Sequence, residues 1–502
     1  MIQVHALLRR VLPLVLLSLG ANTTAQAALR IWVVPIVNQG QFVATMLAPF
    51  SAAQKVRVDI TAIRGREVVA AARDGRADLI ITHADFMTVA ALVQDDLIGR
   101  GSVVFANPIA LLAPRADPAH VATARSPEEA LARIRTSKAC LINNDLEHLR
   151  EFAPVESSPA CAEASTGQAG IGAVLTAQSK DAYVWWGLHP FLNTEVALTP
   201  VVLPDPRILR PLMAWAVRGD QMQLAEAAVE ALRSPAAQSA IASFRLAGHP
   251  ETQVWWSHTA LDRLAAIRAR GRLIVAVKNA GSRSTAEHRD PAHIAKRDFE
   301  IRLAGAIAKR LLGDVDKLEV EMMRKPQRLP AIAGGQVDLG ISMLPPNRKG
   351  QSYVDFSHPY FEDGLAVMHD PQVEIENAQA LPGKRWLTLA RDPVGQEDER
   401  REIEAAVGSP LTTTPTPNFR AAAAMIEAGE ADGLISLAAN IDAFLAGYTS
   451  DLRRSPILRG TRYAVAIPKD NPTLRAVVNE TIEDLARSGT LREWRQATRL
   501  AR

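Results

Sequence analysis

The stretch Gly334-Gly335-Gln336-Val337-Asp338-Leu339-Gly340-Ile341-Ser342 decides the fold of this chain. Glycine tolerates the left-handed backbone that ends a helix. A short apolar run behind an Asp reads as a strand buried on both faces, as in a parallel sheet. The pattern recurs at Asp74-Gly75-Arg76-Ala77-Asp78-Leu79-Ile80-Ile81-Thr82 and at Ala428-Gly429-Glu430-Ala431-Asp432-Gly433-Leu434-Ile435-Ser436. Open α/β sheets bind ligands beyond the carboxyl ends of their strands, so Thr82, Ser342 and Ser436 are expected at clefts. The chain therefore reads as an α/β protein of repeated lobes that hold something small.

Working outward, Leu29 to Val34 and Val56 to Ile60 are expected strands, with a helix from Gln41 to Phe50 between them. Ser126-Pro127-Glu128-Glu129 opens a helix with Ser126 as cap, Pro127 in the first turn and Glu129 closing a capping box. Ser234-Pro235 starts another in the same way. The pattern breaks between Arg245 and His258, around Gly248, Pro250 and Trp255-Trp256. That break places a linker at 251–260 between a module at 28–250 and a second at 261–502. The second restarts with a helix from Leu261 to Ala269 and a strand from Arg272 to Val277. A long polar segment, Lys278 to Asp298, precedes a helix from Phe299 to Leu312. Each half has its own Asp-strand unit and terminal helix, so each is expected to fold by itself.

Residues 1–27 read as a cleaved export signal. Arg9-Arg10 is followed by an apolar run from Val11 to Leu19 and by Ala25-Gln26-Ala27, a small-x-small cleavage site. No Cys adjoins that site, which argues against a lipid anchor. The expected product is a soluble periplasmic protein. The formal net charge is +3, and Arg9 and Arg10 account for two of those charges, so nucleic acid is excluded as a partner. The two cysteines, Cys140 and Cys161, invite a disulfide in an oxidising compartment. It would close a loop of about twenty residues and stabilise by roughly 3 kcal/mol. Their spacing does not fit a CxxC redox or zinc motif.

Two families are resembled, one in each half. Residues 261–498 resemble the extracellular solute-binding proteins of the polar amino-acid uptake class (family 3). The likeness lies in Arg270-Gly271-Arg272-Leu273-Ile274-Val275-Ala276-Val277, Phe299-Glu300 and Gly335-Gln336-Val337-Asp338-Leu339. It continues through Val354-Asp355-Phe356-Ser357-His358-Pro359-Tyr360, Gly383-Lys384-Arg385 and Ser488-Gly489-Thr490-Leu491. Residues 28–250 look like periplasmic tungstate-binding proteins and their phosphate-type relatives. That likeness lies in Ala71 to Ala84, in Phe105 to Pro114 as a crossover strand with Asp117-Pro118 after it, in Ser126 to Ile134, and in Ser234 to Ile241. Both resemblances imply periplasmic-binding-protein-like (type II) modules, each of two α/β lobes with a mixed sheet, closing on a ligand like a hinged clamp.

The departures from both patterns sit where ligands would bind. In the first module Asn38, Gln39, Asn143 and Asn144 replace hydroxyl-rich turns. Arg64 and Arg66 stand where the resembled family has a Gly-Thr-Gly-Gln turn, and His83 follows Thr82. All are candidate ligand contacts with Thr82, although His83 reads more readily as a satisfied buried histidine. Trp185-Trp186 and Trp255-Trp256 read as packing anchors, with Trp185 able to line the first cleft. In the second module the family's carboxylate-gripping arginine is represented by Arg348, about two residues displaced from the usual spacing, with Lys349 competing. Leu437 stands where an Asp normally meets the ligand ammonium. The basic 278–297 segment, with Arg297, and the hydroxyls of Ser342 and Ser436 complete the candidates. An anion or carboxylate is therefore the expected solute.

The leading reading is a periplasmic binding protein, working as a monomer and without a cofactor, that delivers a small anionic solute to an ABC-type permease. A sensor or accessory protein signalling to a membrane partner is the alternative. A periplasmic dehydratase of a cyclic acid is the third reading. No HExxH, Gly-x-Ser-x-Gly or phosphate-loop motif is present, and no metal site is expected.

Overall fold

A computed structural model describes residues 28–63, 65–84, 86–142, 171–278, 291–390, 401, 403–405 and 407–497. The first module contains β1 (Ala28–Val33), β2 (Arg57–Ala62), β3 (Leu79–His83), β4 (Ser102–Pro114), β5 (Leu141–Ile142), β6 (Tyr183–Gly187), β7 (Leu198–Val201), β8 (Leu209–Ala216) and β9 (Trp256–Ser257). The second contains β10 (Leu273–Lys278), β11 (Leu318–Met323), β12 (Leu339–Leu344), β13 (Val354–His369), β14 (Trp386–Leu389), β15 (Thr413–Thr416), β16 (Gly433–Leu437), β17 (Arg453–Arg454) and β18 (Arg459–Pro468). The sheets run β2-β1-β3-β8-β4-β6-β5 and β11-β10-β12-β18-β13-β16-β14-β15. Parallel and antiparallel pairs are mixed in both. One long strand in each module serves two lobes. Residues 102–108 of β4 pair with β8 and residues 109–112 with β6. Likewise, β13 pairs with β18 up to Leu365 and with β16 from there on. This is the mixed-sheet, two-lobed α/β architecture expected from the sequence.

The repeated Asp has one structural job at all three sites. Asp78 accepts from the Arg30 backbone N–H at 2.8 Å and from the Arg30 guanidinium. Asp338 accepts from Ile274 N–H at 2.7 Å and from Arg270. Asp432 accepts from Arg385 N–H at 2.6 Å and from the Arg385 guanidinium. In return each Asp donates its own N–H to the carbonyl of that same neighbour, at 2.9 Å. The carboxylate thus clasps a neighbouring parallel strand at the end remote from the cleft. Charge-assisted bonds of this kind are among the stronger ones. The motif's last residues, Thr82, Ser342 and Ser436, are all buried at the other end of their strands.

Helix starts follow local chemistry. Ser126 accepts from Glu129 N–H at 3.2 Å, but Glu129 reaches back to the Arg125 N–H rather than to that of the cap. Ser234 caps at Ala237 N–H. The helix expected from Phe299 begins at Pro291, so the later part of the polar 278–298 segment is helical.

Two expectations about organisation need correction. Residues 251–260 are not a free linker. Trp255 is fully buried in the first module's core, and Trp256 and Ser257 pair with Ala106 and Phe105 of β4. The halves also share a core. Met213, Trp215, Val217 and Val103 join Tyr353, Val354, Ile332 and Ala466 in one buried apolar cluster. Around it Trp215 Nε1 donates to Ser352 O at 2.8 Å, and Arg100 and Lys469 both pair with Asp355. Arg233 grips Asp470 through both guanidinium nitrogens, at 2.8 and 2.9 Å. Burial alone would raise the Asp355 carboxyl, but Lys469 and Arg100 hold it below the usual range. Burial pulls Lys469 down to about 8. The export signal and Cys161 lie outside the described residues, while Cys140 packs half-buried against the first core. Among the described residues no helix is long and apolar enough to cross a membrane.

Candidate functional site

In the second module a buried polar cluster lies at the carboxyl-terminal edge of the first lobe. Ser342 comes near the end of β12, and its carbonyl and hydroxyl both accept from Arg328 of the helix Lys325–Ala333. Tyr360 of β13 hydrogen-bonds Glu300 of the helix Pro291–Leu312, and its hydroxyl accepts from Met343 N–H at 3.1 Å. Glu300, Arg328, Ser342 and Tyr360 are all at most 5 % exposed. Burial pushes the Tyr360 hydroxyl well up, with Glu300 adding to it, and burial works against the charge on Arg328 while Glu300 supports it. Met343 has φ 45°, a left-handed backbone uncommon for a non-glycine residue. Such outliers concentrate at ligand sites. Sequence reading missed Glu300, Arg328 and Met343. A charged residue inside an otherwise apolar helix face, Leu329 to Ala333 following Arg328, was the available signal.

On the second lobe Ser436 is buried and Leu437 is half-buried at the end of β16. The helix Ala438–Leu445 starts there, and its first free N–H groups would suit an anion. Asp363 already occupies that place, accepting from Ala439 N–H at 3.1 Å. A negative side chain thus stands where a bare oxyanion would need donors.

The expected arginine grip is placed elsewhere. Arg348 is exposed, caps no cleft residue, and faces Asp96 of the first module at 3.7 Å. Lys349 is exposed beside it. Both sit in the short helix Arg348–Gln351, held by Asn347 against the seam between modules. The structure brings Ser342 together with Arg328, while Arg348 faces Asp96. Arg297 lies on the helix Pro291–Leu312, with its side chain outside what is described, as are residues 279–290.

In the first module the strand ends also converge, but on neutral groups. Gln39, in the turn after β1, meets His189, which begins the segment after β6, through its side-chain amide 2.7 Å from Nδ1. His189 Nε2 donates to Val254 O at 2.8 Å. Asn38 is half-buried in the same turn. His83 Nε2 lies 2.9 Å from Asn107 Oδ1, the satisfied arrangement expected of a buried histidine. Burial pulls His83 down to about 3, with Arg210 adding to it, and burial pulls His189 down to about 4. Thr82 is buried next to His83, and Trp185 is fully buried. Asn143, Asn144 and Arg64 lie outside the described residues, as does the side chain of Arg66. Among the described residues no group of three His, Cys, Asp or Glu side chains is arranged to hold a metal.

The fold and the polar strand ends define a two-lobed α/β protein with clefts at its strand ends. Residues 296–497 match the family of bacterial extracellular solute-binding proteins, family 3. The chain is 25% identical over 173 residues to the glutamine-binding protein of Geobacillus stearothermophilus, covering 34% of this chain and 63% of that protein. It is 22% identical over 233 residues to the ABC transporter glutamine-binding protein of Bacillus subtilis, covering 45% and 81%. It is 23% identical over 201 residues to the L-glutamate/L-aspartate-binding protein of Pseudomonas aeruginosa, covering 38% and 64%. The chain thus spans somewhat less than two thirds of the length of two of these three relatives. Among solved structures, an amino-acid ABC transporter substrate-binding protein of Streptococcus pneumoniae bound to L-arginine is 22% identical with TM-score 0.35, covering 47% of this chain and 98% of that one. The arginine-bound Gly52Ala ArgBP of T. maritima is 22% identical with TM-score 0.32, covering 44% and 99%. The likeness of residues 28–250 to tungstate-binding proteins rests on its sequence motifs alone.

Proposed function

We propose that this chain is an extracytoplasmic solute-binding protein whose second module receives a small amino-acid-type solute and presents it to an ABC-type permease. The match of residues 296–497 to family 3 carries this reading, because its bounds enclose Glu300, Arg328, Ser342, Tyr360 and Ser436. The relatives named for glutamine and for glutamate and aspartate favour a solute with both a carboxylate and an ammonium. Glu300 and Asp363 count against the bare anion expected from sequence, since both add negative charge to a site that would need donors. Leu437 supplies no charge, so we assign the ammonium to Glu300 and the carboxylate to Arg328 and Ser342.

Calorimetry on the secreted chain with glutamine, glutamate, aspartate, arginine, sulfate and tungstate tests the reading. At least one amino acid is expected to bind with Kd below about 10 μM, some 7 kcal/mol. Arg328→Lys is expected to weaken it tenfold or more by losing the two-point guanidinium geometry. Binding of oxyanions alone would overturn the assignment.

A further inference from the structure

The cleft of the first module is not empty of side chains. Its mouth is defined by the carboxyl ends of β1 and β6, one from each lobe, above the crossover strand β4. Phe42 begins the helix Phe42–Gln54 at the first of these ends, and His189 lies at the second. Trp255 sits between them. Its ring stacks on Phe42 with centroids 4.6 Å apart and planes 15° apart. It lies 4.0 Å from His189, and it meets Phe105 of β4 edge-on at 5.0 Å. The side chain is fully buried.

The segment that carries Trp255 is tied down at several points. Ser257 and Trp256 add a short antiparallel strand to β4 where that strand passes between the lobes. Val254 O accepts from His189, and His189 in turn meets Gln39 across the cleft. Leu246 and Phe244 close over the lip at Gly40, whose φ is +59°. A Cβ there would lie 3.1 Å from Leu246 and 3.3 Å from Phe244. One continuous apolar cluster now runs from Val33, Val37 and Phe42 in the first lobe to Val184, Leu188 and Phe191 in the second, with Val254 and Trp255 between. A hinged clamp opens and closes because solvent or ligand separates its lobes. Here a dry core joins them, and opening would expose it.

We propose that residues 244–257 are a built-in occupant of the first module's cleft, with Trp255 in the place a solute would take. The module is closed without a ligand and takes none. Its role is to brace the second module through the shared core. This inference is independent of which solute the second module binds.

The experiment is cavity rescue on the full secreted chain. Trp255→Ala should lower the melting temperature by roughly ten degrees, the scale expected for emptying a fully buried indole. Indole at millimolar concentration should restore a large part of that loss in the variant and leave the wild type unchanged, because an apolar cavity accepts a matching apolar ligand. The Trp255 N–H has no hydrogen-bond partner among the described residues, so Trp255→Phe should keep most of the packing and melt close to wild type. Should Trp255→Ala fail to fold, the wild type still decides the matter. By hydrogen exchange the amides of residues 254–257 should be protected as strongly as those of β4. An unchanged melting temperature in Trp255→Ala, equal stabilisation of wild type by indole, or rapid exchange at 254–257 with β4 protected would each overturn the proposal.

Discussion

Replacing Gly101 by alanine should loosen the two modules from each other. A Cβ at this position would lie 2.3 Å from Ser352 O, 2.4 Å from Trp215 Nε1 and 2.9 Å from Met213 Cε. The first two atoms are partners in the hydrogen bond that crosses the seam at 2.8 Å. One is backbone and the other belongs to a fully buried indole, so neither can step aside cheaply. Overpacking of a tight core costs about 1–3 kcal/mol. Stranding the indole N–H costs about another 1–3 kcal/mol. The expected loss is about 4 kcal/mol, a large fraction of the stability of an ordinary domain. Urea unfolding of the full chain, followed by far-ultraviolet dichroism and tryptophan fluorescence, is the assay. Wild type should unfold in one transition, because Trp215 and Val354 share one core. The variant should unfold at lower urea, with the two probes separating as the halves uncouple. Gly460→Ala is the control, since nothing lies within 4 Å of a Cβ there. If Gly101→Ala unfolds within about 0.5 kcal/mol of wild type, the scale of an ordinary surface substitution, the seam does not hold the modules together.

The three Asp clasps should differ in cost when changed to asparagine. Asp338→Asn removes the carboxylate paired with Arg270, 1 % exposed, and should cost about 3–5 kcal/mol. Asp432→Asn faces an Arg385 that is 62 % exposed and should cost about 1 kcal/mol, so equal losses in urea unfolding would refute the burial argument. Stability should fall as pH drops below about 6.5, because unfolded His189 takes up a proton there while the folded ring, down at about 4, does not. His189's share of the loss should reach about 3 kcal/mol by pH 4, with buried His83 adding a comparable share, so His189→Gln should make that part of the profile roughly half as steep; an unchanged slope would show that His189 does not contribute. We also expect thiol titration of the denatured, unreduced chain to find no free thiol, which checks the Cys140–Cys161 pairing. Two reactive thiols would exclude it.

Most of the framework was legible because it depends on local, periodic signals. The Asp-strand units, the crossover strand at Phe105 to Pro114 and the caps at Ser126 and Ser234 each need only a few adjacent residues. The same signal carried Thr82, Ser342 and Ser436 to the strand ends. The candidate site was less legible because its members meet only through the fold. Glu300, Arg328 and Tyr360 are separated by tens of residues, and no spacing rule joins them. Arg348 stands at the seam for a reason that local sequence does not show either. The resemblance supplied a residue type near the expected position, but in the fold the short helix places Arg348 beside Asp96 of the other module. Trp255 was read as a packing anchor, which it is. That it packs between two lobes of another part of the module follows only from the pairing of β9 with β4.

The two modules share one architecture and differ in what separates their lobes. In the first, neutral and aromatic groups close the gap, and the two histidines there are held uncharged. In the second, ionisable and polar groups meet at the strand ends, with Glu300 and Arg328 both buried. Among the described residues the seam runs through the first lobe of the second module, at Ser352 to Asp355, Ala466 and Lys469 to Asp470. Its second lobe has apolar clusters of its own, one around Ala366, Leu434 and Ile441 and another around Val367, Trp386 and Ile435. A clamp needs one fixed jaw and one that moves. The seam packs against the jaw that carries Arg328 and Ser342, while the jaw with Ser436 meets that one through β13 and β18 and through Ala439, buried with Phe299 and Leu303 of the first lobe. The asymmetry of the two clefts and the one-sided seam therefore fit one proposal, in which the first module braces one half of a second module that closes on solute.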